Sequence, residues 1–300
     1  MPDGGVRAEP DGDLAPATAD VAVVIVNYDS GDDVSRAVRS VHDAAGDARV
    51  DIVVVDNGSR DGSADRAEAA FPGLRVVRNE RNLGFPSAAN IGMRATTAPW
   101  VFLLNPDARV TAGTLGGLLK LAGDRPEAGV IGVLTRGGDG AVYPSARKVP
   151  TYAEATLHAF VSPFRPDNRW TRAYRLDGWD RRSERSVDWV SGSSMLLRRA
   201  ALDHVGLFDE GFFMYVEDLD LCTRMRQAKW DVWFTPELEV THIGGTATRG
   251  KRRMTLEHSR SMYRYFVKHR SPGALAVLRP PAWLALRARA VLVSRMRGER

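Results

Sequence analysis

A mainly parallel α/β sheet with helices on both faces is the fold class this sequence predicts, and three observations carry it. Val21-Ala-Val-Val-Ile-Val26 is an unbroken apolar run, mostly β-branched, the composition of a strand buried on both faces. Strand-like and helix-like segments then alternate at the spacing of βαβ units. Short polar motifs directly follow three of the strands, where open α/β sheets bind their ligands.

The elements follow in order. The first strand leads to a helical stretch over Asp33–Ala45, strand Asp51–Asp56, helix Ser63–Ala70, strand Leu74–Arg78, helix Pro86–Ala95 and strand Trp100–Leu104. Helix Thr111–Ala122 and a strand near Val130–Leu134 extend the pattern. After Gly137-Gly-Asp-Gly140 the rhythm breaks. Residues 141–186 are rich in Arg, Trp, Tyr and Pro without a clean period, as expected of an inserted lobe or mobile loops. Regular pattern resumes at Val187–Leu197, with helix Glu217–Ala228 and strand Asp231–Phe234 after it. The expected organisation is a disordered segment over 1–20, one α/β domain over 21–248 with the insertion at 141–186, and a basic helical extension over 249–300.

Composition bounds the function classes. Of the 300 residues, 44% are hydrophobic and 26% charged, ordinary values for a globular chain. The sole cysteine, Cys222, excludes an intrachain disulfide. Residues 1–20 have no apolar core, and no run reaches the about 18 apolar residues that span a bilayer, so a cytoplasmic location is expected. Charge is unevenly placed: residues 249–300 hold fourteen Lys and Arg against Glu257 and Glu299, whereas residues 1–20 set Arg7 against five acids. A basic tail of this kind suits an anionic partner, either a membrane face or a nucleic acid.

Asn27-Tyr28-Asp-Ser30 follows the first strand, Asp56-Asn57-Gly-Ser59 the second and Asn105-Pro-Asp107 the fourth, which together suggest a nucleotide site. Asp56 belongs either to a strand-to-helix turn or to a pocket in which its carboxylate accepts the imide N–H of a pyrimidine. The turn Arg81-Asn82-Leu-Gly84 and Asn90 one helix later are either caps or part of that site. Asp107 either caps the next helix or holds Mg²⁺ or Mn²⁺ beside a diphosphate, since hard cations take oxygen ligands. His242 is either structural or a metal ligand partnering Asp107. In Glu217-Asp218-Leu-Asp220, three carboxylates crowd one helix start, and one is expected to have a raised pKa and act as general base. Trp189 and Ser191-Gly192-Ser193 either pack the interior or line an acceptor or sugar pocket.

The ordered set DNGS, RNLGF, NPD, WVSGSSMLLRR, FDEGFFMYVEDLDLCTR and a late His resembles family 2 of the inverting glycosyltransferases over residues 21–245. The resemblance implies the GT-A fold, a Rossmann-like nucleotide-binding sheet flanked by helices. It implies a nucleoside-diphosphate sugar donor and a divalent cation, Mg²⁺ or Mn²⁺. It places Asp56 at the base-binding Asp, Asn105-Pro-Asp107 at the Asp-x-Asp motif, Asp218 (beside Glu217) at the catalytic base and His242 at the late metal ligand. Asn105 departs from the motif by replacing its first Asp, so metal binding rests on Asp107, His242 and the diphosphate.

A narrower likeness rests on Val142-Tyr-Pro-Ser-Ala-Arg147, Ser162-Pro-Phe-Arg-Pro166, Asp188-Trp-Val-Ser-Gly192 and the basic C-terminus. These resemble the rhamnosyltransferases of actinobacterial cell-wall linker assembly. That likeness implies dTDP-L-rhamnose as donor and a GlcNAc-diphosphoryl-polyprenol acceptor; the 141–186 insertion is then expected on the acceptor side, and the basic C-terminus suits a peripheral position at the cytoplasmic membrane face. UDP-galactofuranose, UDP-GlcNAc and GDP-mannose remain alternative donors. A nucleotidyltransferase would carry a Gly-rich basic loop after the first strand, where this chain has Asn27-Tyr-Asp-Ser30. A nucleic-acid-binding protein has only the tail in its favour, and no nucleic-acid partner is expected.

Overall fold

The computed structural model describes residues 19–162, 164–165, 167–244 and 251–296. The segment expected to be disordered falls outside these residues up to position 18, as do Pro163 and Pro166 of the narrower likeness.

The first half follows the expected alternation: β1 (Val21–Asn27), α1 (Asp33–Ala44), β2 (Val50–Asp56), α2 (Ser63–Ala70), β3 (Arg75–Arg78), α3 (Phe85–Arg94) and β4 (Trp100–Leu104). A short β5 (Ala108–Val110) precedes α4 (Thr114–Asp124), which starts three residues later than its sequence suggests because β5 occupies part of its lead-in. β6 (Ala128–Gly137) follows.

The segment expected to be irregular holds β7 (Val142–Tyr143), β8 (Ala146–Arg147), α5 (Tyr152–Val161), α6 (Arg169–Arg175) and β9 (Arg185–Ser186). Local capping accounts for both helices. Glu154 N–H donates to Thr151 Oγ1 at 3.3 Å while Thr151 N–H donates to Glu154 Oε2 at 2.8 Å, a reciprocal capping box. Asn168 Oδ1 accepts from Trp170 and Thr171 N–H at the start of α6.

The chain continues through β10 (Trp189–Val190), β11 (Ser194–Arg198), α7 (Arg199–Val205), α8 (Glu217–Gln227) and β12 (Asp231–His242). β12 runs eight residues past its expected end at Phe234, because the register shift between Thr235 and Glu239 accommodates Pro236 within the strand. The basic extension forms α9 (Lys251–Tyr265), a π-helical turn over Phe266–Arg270, a 3-10 turn over Gly273–Leu278 and α10 (Arg279–Met296).

Strand order in the main sheet is β3-β2-β1-β4-β11-β6-β12-β5, with β7 on β6 and β9 on β12. β3, β2, β1 and β4 are mutually parallel, as are β6 and β12, while β11 lies antiparallel between β4 and β6. Period-two alternation divides the core. Val21, Val23 and Ile25 point to the face packed by α1 and α4, whereas Val24 and Val26 join Met93, Phe212 and Leu221 on the other. Fully buried side chains of this size each contribute roughly 1.5–3 kcal/mol. Two such faces hold the carboxyl ends of β1, β2 and β4 rigidly along one edge.

Candidate active site

That edge opens on a cavity of about 330 Å³, whose walls include residues after β1, β2 and β4, the end of β12, the loop before β11 and the start of α8.

One wall is made by β5 and β12. Their antiparallel register sets Ala108 opposite His242, which brings Asp107 beside the imidazole. His242 Nε2 lies 3.0 Å from Asp107 Oδ1, and the Asn105 amide lies 3.3 Å from the same nitrogen. Burial pushes the Asp107 carboxyl up, but the hydrogen bond and charge of His242 outweigh it, and its pKa is held below the ordinary value. Among the described residues no third His, Cys, Asp or Glu stands with this pair. One carboxylate and one imidazole suit a cation that takes its remaining ligands from phosphate oxygens and water, so the donor set fits Mg²⁺ or Mn²⁺ with a diphosphate.

The opposite wall starts from backbone strain. Tyr215 and Val216 adopt φ of 68° and 70°, a region costing on the order of 1–3 kcal/mol for such residues. The bend turns the first residues of α8 into the cavity. Asp218 Oδ2 accepts from Gly192 N–H at 3.0 Å and Oδ1 from its neighbour Leu219 N–H at 2.8 Å. Removal from water raises its pKa despite these bonds and the positive field of Arg147. Glu217 is driven well above the ordinary carboxylate range by burial and by the adjacent Asp218 charge. Three buried polar atoms of this cavity lack protein partners: Glu217 Oε2, Ser193 Oγ and Trp189 Nε1. Such atoms are expected to meet a ligand.

The third carboxylate of the expected cluster is elsewhere. Asp220 is buried against Arg224 (2.9 Å), Lys268 (2.8 Å) and His269 (2.6 Å). Burial raises its carboxyl, but His269 and Lys268 prevail and hold it below the ordinary range. It fastens α8 to the C-terminal extension and takes no part in the cavity.

The nucleotide-side residues divide likewise. Tyr28, Asn57, Asn82 and Asn105 line the cavity. Asn57 is a hub: its amide donates to Asn82 Oδ1 and Gly84 O, and its Oδ1 accepts from Leu83 N–H and Asn79. Asn27 and Asp56 stand just behind. The Asn27 amide donates to Asp56 Oδ1 at 3.0 Å and to Ser59 and Ser63, and its Oδ1 accepts from Ser30. This side chain orients Asp56 and lies outside the cavity lining, one layer behind the direct contact expected of it. Asn90 also lies outside the cavity lining: its amide donates to Phe208 O and Glu210, and its Oδ1 accepts from Phe208 N–H. The exposed Arg81 contributes backbone packed on Gly58, and Gly84 contributes a close approach to Phe213, so neither side of that turn lines the cavity.

Trp189, Ser191, Gly192 and Ser193 do line it. Sequence reasoning assigned no site role to Arg147, Tyr143, Tyr174, His258 or Met262, which also line it. The first two lay within a motif already singled out. His258 and Met262 occur four residues apart on α9, a shared helical face that only tertiary packing directs inward.

Residues 22–206 match the sequence profile of glycosyl transferase family 2. Over 295 residues the chain is 37% identical to the N-acetylglucosaminyl-diphospho-decaprenol L-rhamnosyltransferase of Mycobacterium tuberculosis, covering 93% of this chain and 94% of that protein. It is 30% identical over 218 residues to the succinoglycan biosynthesis protein ExoU of Rhizobium meliloti, covering 70% of this chain and 58% of that protein. Among solved structures, the Pyrobaculum calidifontis mannosyltransferase PcManGT in complex with GDP-Man and Mn²⁺ matches with TM-score 0.57 at 18% identity, over 94% of this chain and 78% of that chain. GalNAc-T7 with UDP, GalNAc and Mn²⁺ matches with TM-score 0.59 at 18% identity, over 91% and 54%. These structural matches bear on the fold, which is GT-A.

Proposed function

The chain belongs to glycosyl transferase family 2, and from that premise we propose that it transfers L-rhamnose from dTDP-L-rhamnose to GlcNAc-diphosphoryl-polyprenol with inversion. The observation that carries the reaction is the placement of Asp218 and the Asp107–His242 pair in the walls of one cavity. The substrates rest on the end-to-end match to the mycobacterial rhamnosyltransferase, which continues past the family profile into the C-terminal extension.

Asn57, Asn82 and Tyr28 would hold the nucleotide, with Asp56 behind them fixed by Asn27. Asp107 and His242 would hold Mg²⁺ or Mn²⁺, which when bound neutralises charge on the leaving diphosphate. Asp218 takes the proton from the acceptor hydroxyl as its oxygen attacks the anomeric carbon, and the bond to the diphosphate breaks. A single displacement needs one carboxylate as base, and Asp218 is the one held at the cavity wall by Gly192 N–H. Glycosidases differ in placing two functional carboxyl groups across the bond. Glu217 Oε2, Ser193 Oγ and Trp189 Nε1 would hydrogen-bond to the sugars.

The C-terminal extension supports a peripheral position on a membrane. No helix of the described residues is long and apolar enough to cross one. α10 instead buries Ala290 and Val293 and exposes Trp283, Leu284, Val291 and Leu292 alongside Arg287 and Arg295. Apolar and cationic side chains sharing one exposed helix face suit an anionic lipid surface.

A donor screen tests the assignment. With a GlcNAc-diphosphoryl lipid and Mg²⁺ or Mn²⁺, dTDP-L-rhamnose is expected to be turned over in preference to UDP-galactofuranose, UDP-GlcNAc and GDP-mannose. Preference for another donor would replace the rhamnose assignment while leaving the reaction class.

A further inference from the structure

Arg147 is the only Lys or Arg among the described residues lining the cavity. It stands on β8, paired in register with Trp189 of β10. The guanidinium carbon lies 4.9 Å from the centre of the Trp189 ring, 5.5 Å from Tyr174 and 5.4 Å from Tyr143, so three aromatic faces hold the fork in place. Nε donates to Pro144 O at 2.7 Å, Nη1 to the Tyr174 hydroxyl at 3.2 Å and Nη2 to the Tyr143 hydroxyl at 2.6 Å. A guanidinium carries five N–H groups, so one on each terminal nitrogen is left without a protein acceptor. All three acceptors are neutral, and Arg147 makes no ion pair with a carboxylate among the described residues.

The Asp218 carboxylate acts on Arg147 through its field but makes no hydrogen bond to it among the described residues, so the fork keeps N–H groups for a further anion. One remaining N–H on each terminal nitrogen is the donor set that a phosphate can accept from in bidentate fashion. The surroundings extend the positive field: after burial itself, the charges of Arg289, Arg175 and Arg147 drive the His158 pKa down to about 4. Arg147 belongs to the wall of Trp189, Gly192 and Asp218, and among the described residues none of its hydrogen bonds or ring contacts involves Asn105, Asp107 or His242. The fork thus stands on the wall that carries Asp218, and an anion bound to it would lie on the acceptor side.

We propose that Arg147 binds the diphosphate of the acceptor, seating the anionic neck of a sugar-diphosphoryl lipid against Tyr143 and Tyr174 while the sugar hydroxyl reaches Asp218. This rests on the function proposed above and makes Arg147 the residue that distinguishes a diphosphorylated acceptor from a neutral glycoside.

The test compares a short-chain GlcNAc-diphosphoryl lipid with a neutral alkyl GlcNAc glycoside in wild type, Arg147→Gln and Arg147→Lys. Wild type is expected to favour the diphosphorylated acceptor. In Arg147→Gln its KM should rise roughly 30-fold or more, as for a lost buried charge pair, and the preference should collapse. Arg147→Lys keeps the charge without the fork and should recover part of it, which separates recognition from misfolding. Affinity for dTDP should be unchanged; a matching loss there would assign Arg147 to the donor and overturn the proposal, as would a preserved acceptor preference in Arg147→Gln. Failure of wild type to glycosylate either acceptor would instead refute the function proposed above. Inorganic pyrophosphate titrated into dTDP-saturated enzyme then reads Arg147 directly, and equal binding by wild type and Arg147→Gln overturns the inference.

Discussion

At the scale of single residues, Asp218 and Asp220 differ more than their spacing suggests. Both sit in the first turn of α8, yet one accepts from Gly192 N–H at the cavity and the other is enclosed by Arg224, Lys268 and His269. Asp218→Asn is expected to cut turnover by on the order of 10²–10⁴ while calorimetric donor affinity stays near wild type. Near-normal turnover would remove Asp218 from the base role. Asp107→Ala should give the converse result, loss of metal-dependent dTDP binding. The acid side of the pH profile follows from the raised pKa of Asp218. A base must be ionised, so kcat/KM should fall as pH drops through a value above the ordinary carboxylate range. An acid limb at the unperturbed position would contradict this. Such distinctions were only half legible in the sequence: EDLD announced a buried acidic cluster, but which carboxylate faced a ligand depended on Lys268 and His269, nearly fifty residues away.

At the scale of elements, loops are pressed together where glycine alone fits. Gly84 has φ +87°, and a Cβ there would stand 2.5 Å from the Phe213 carbonyl oxygen. Phe85 N–H donates to that same oxygen at 2.9 Å, tying the Asn82–Gly84 turn to the loop that precedes α8. Gly84→Ala is expected to destabilise the fold by about 1–3 kcal/mol and to weaken dTDP binding through Asn57 and Asn82. Chemical denaturation with dTDP titration checks both, and unchanged values would show that the loops move apart freely. The strands and helices of residues 21–104 were legible because continuous apolar runs alternate with helical segments. α5 and α6 were missed because helices of ten and seven residues show little apolar period; their caps at Thr151 and Asn168 were the available signal. β12 was cut short because Pro236 within a strand normally marks its end.

At the scale of the whole molecule, the C-terminal extension is joined to the catalytic edge. Ser261 Oγ donates to Met214 O at 2.8 Å, Tyr265 pairs with Thr223 at 3.0 Å, and Asp209 binds Arg264 and Lys268. α9 thereby brings His258 and Met262 to the cavity, while α10 carries the exposed Leu284 and Arg287 beyond it. Full-length protein is expected to float with vesicles containing anionic lipid, and Leu284→Gln with Arg287→Gln should reduce the bound fraction severalfold. Equal flotation of the two proteins would dismiss α10 as the docking face. Salt should weaken binding, because the cationic share is screened.

The sequence by itself determined a mainly parallel α/β sheet, the order of its elements over residues 21–104, and the motifs carrying Asp56, Asp107, Asp218 and His242, whose resemblance to a known family implied GT-A. These are local properties: strand composition, turn residues and the polar positions that follow each strand. Tertiary structure alone decided the pairing of Asp107 with His242, the separation of Asp218 from Asp220, the withdrawal of Asn27 and Asn90 into structural bonds, and the entry of Arg147 into the cavity. Each depends on register between distant strands or on charges from another element, and no window of sequence contains both partners.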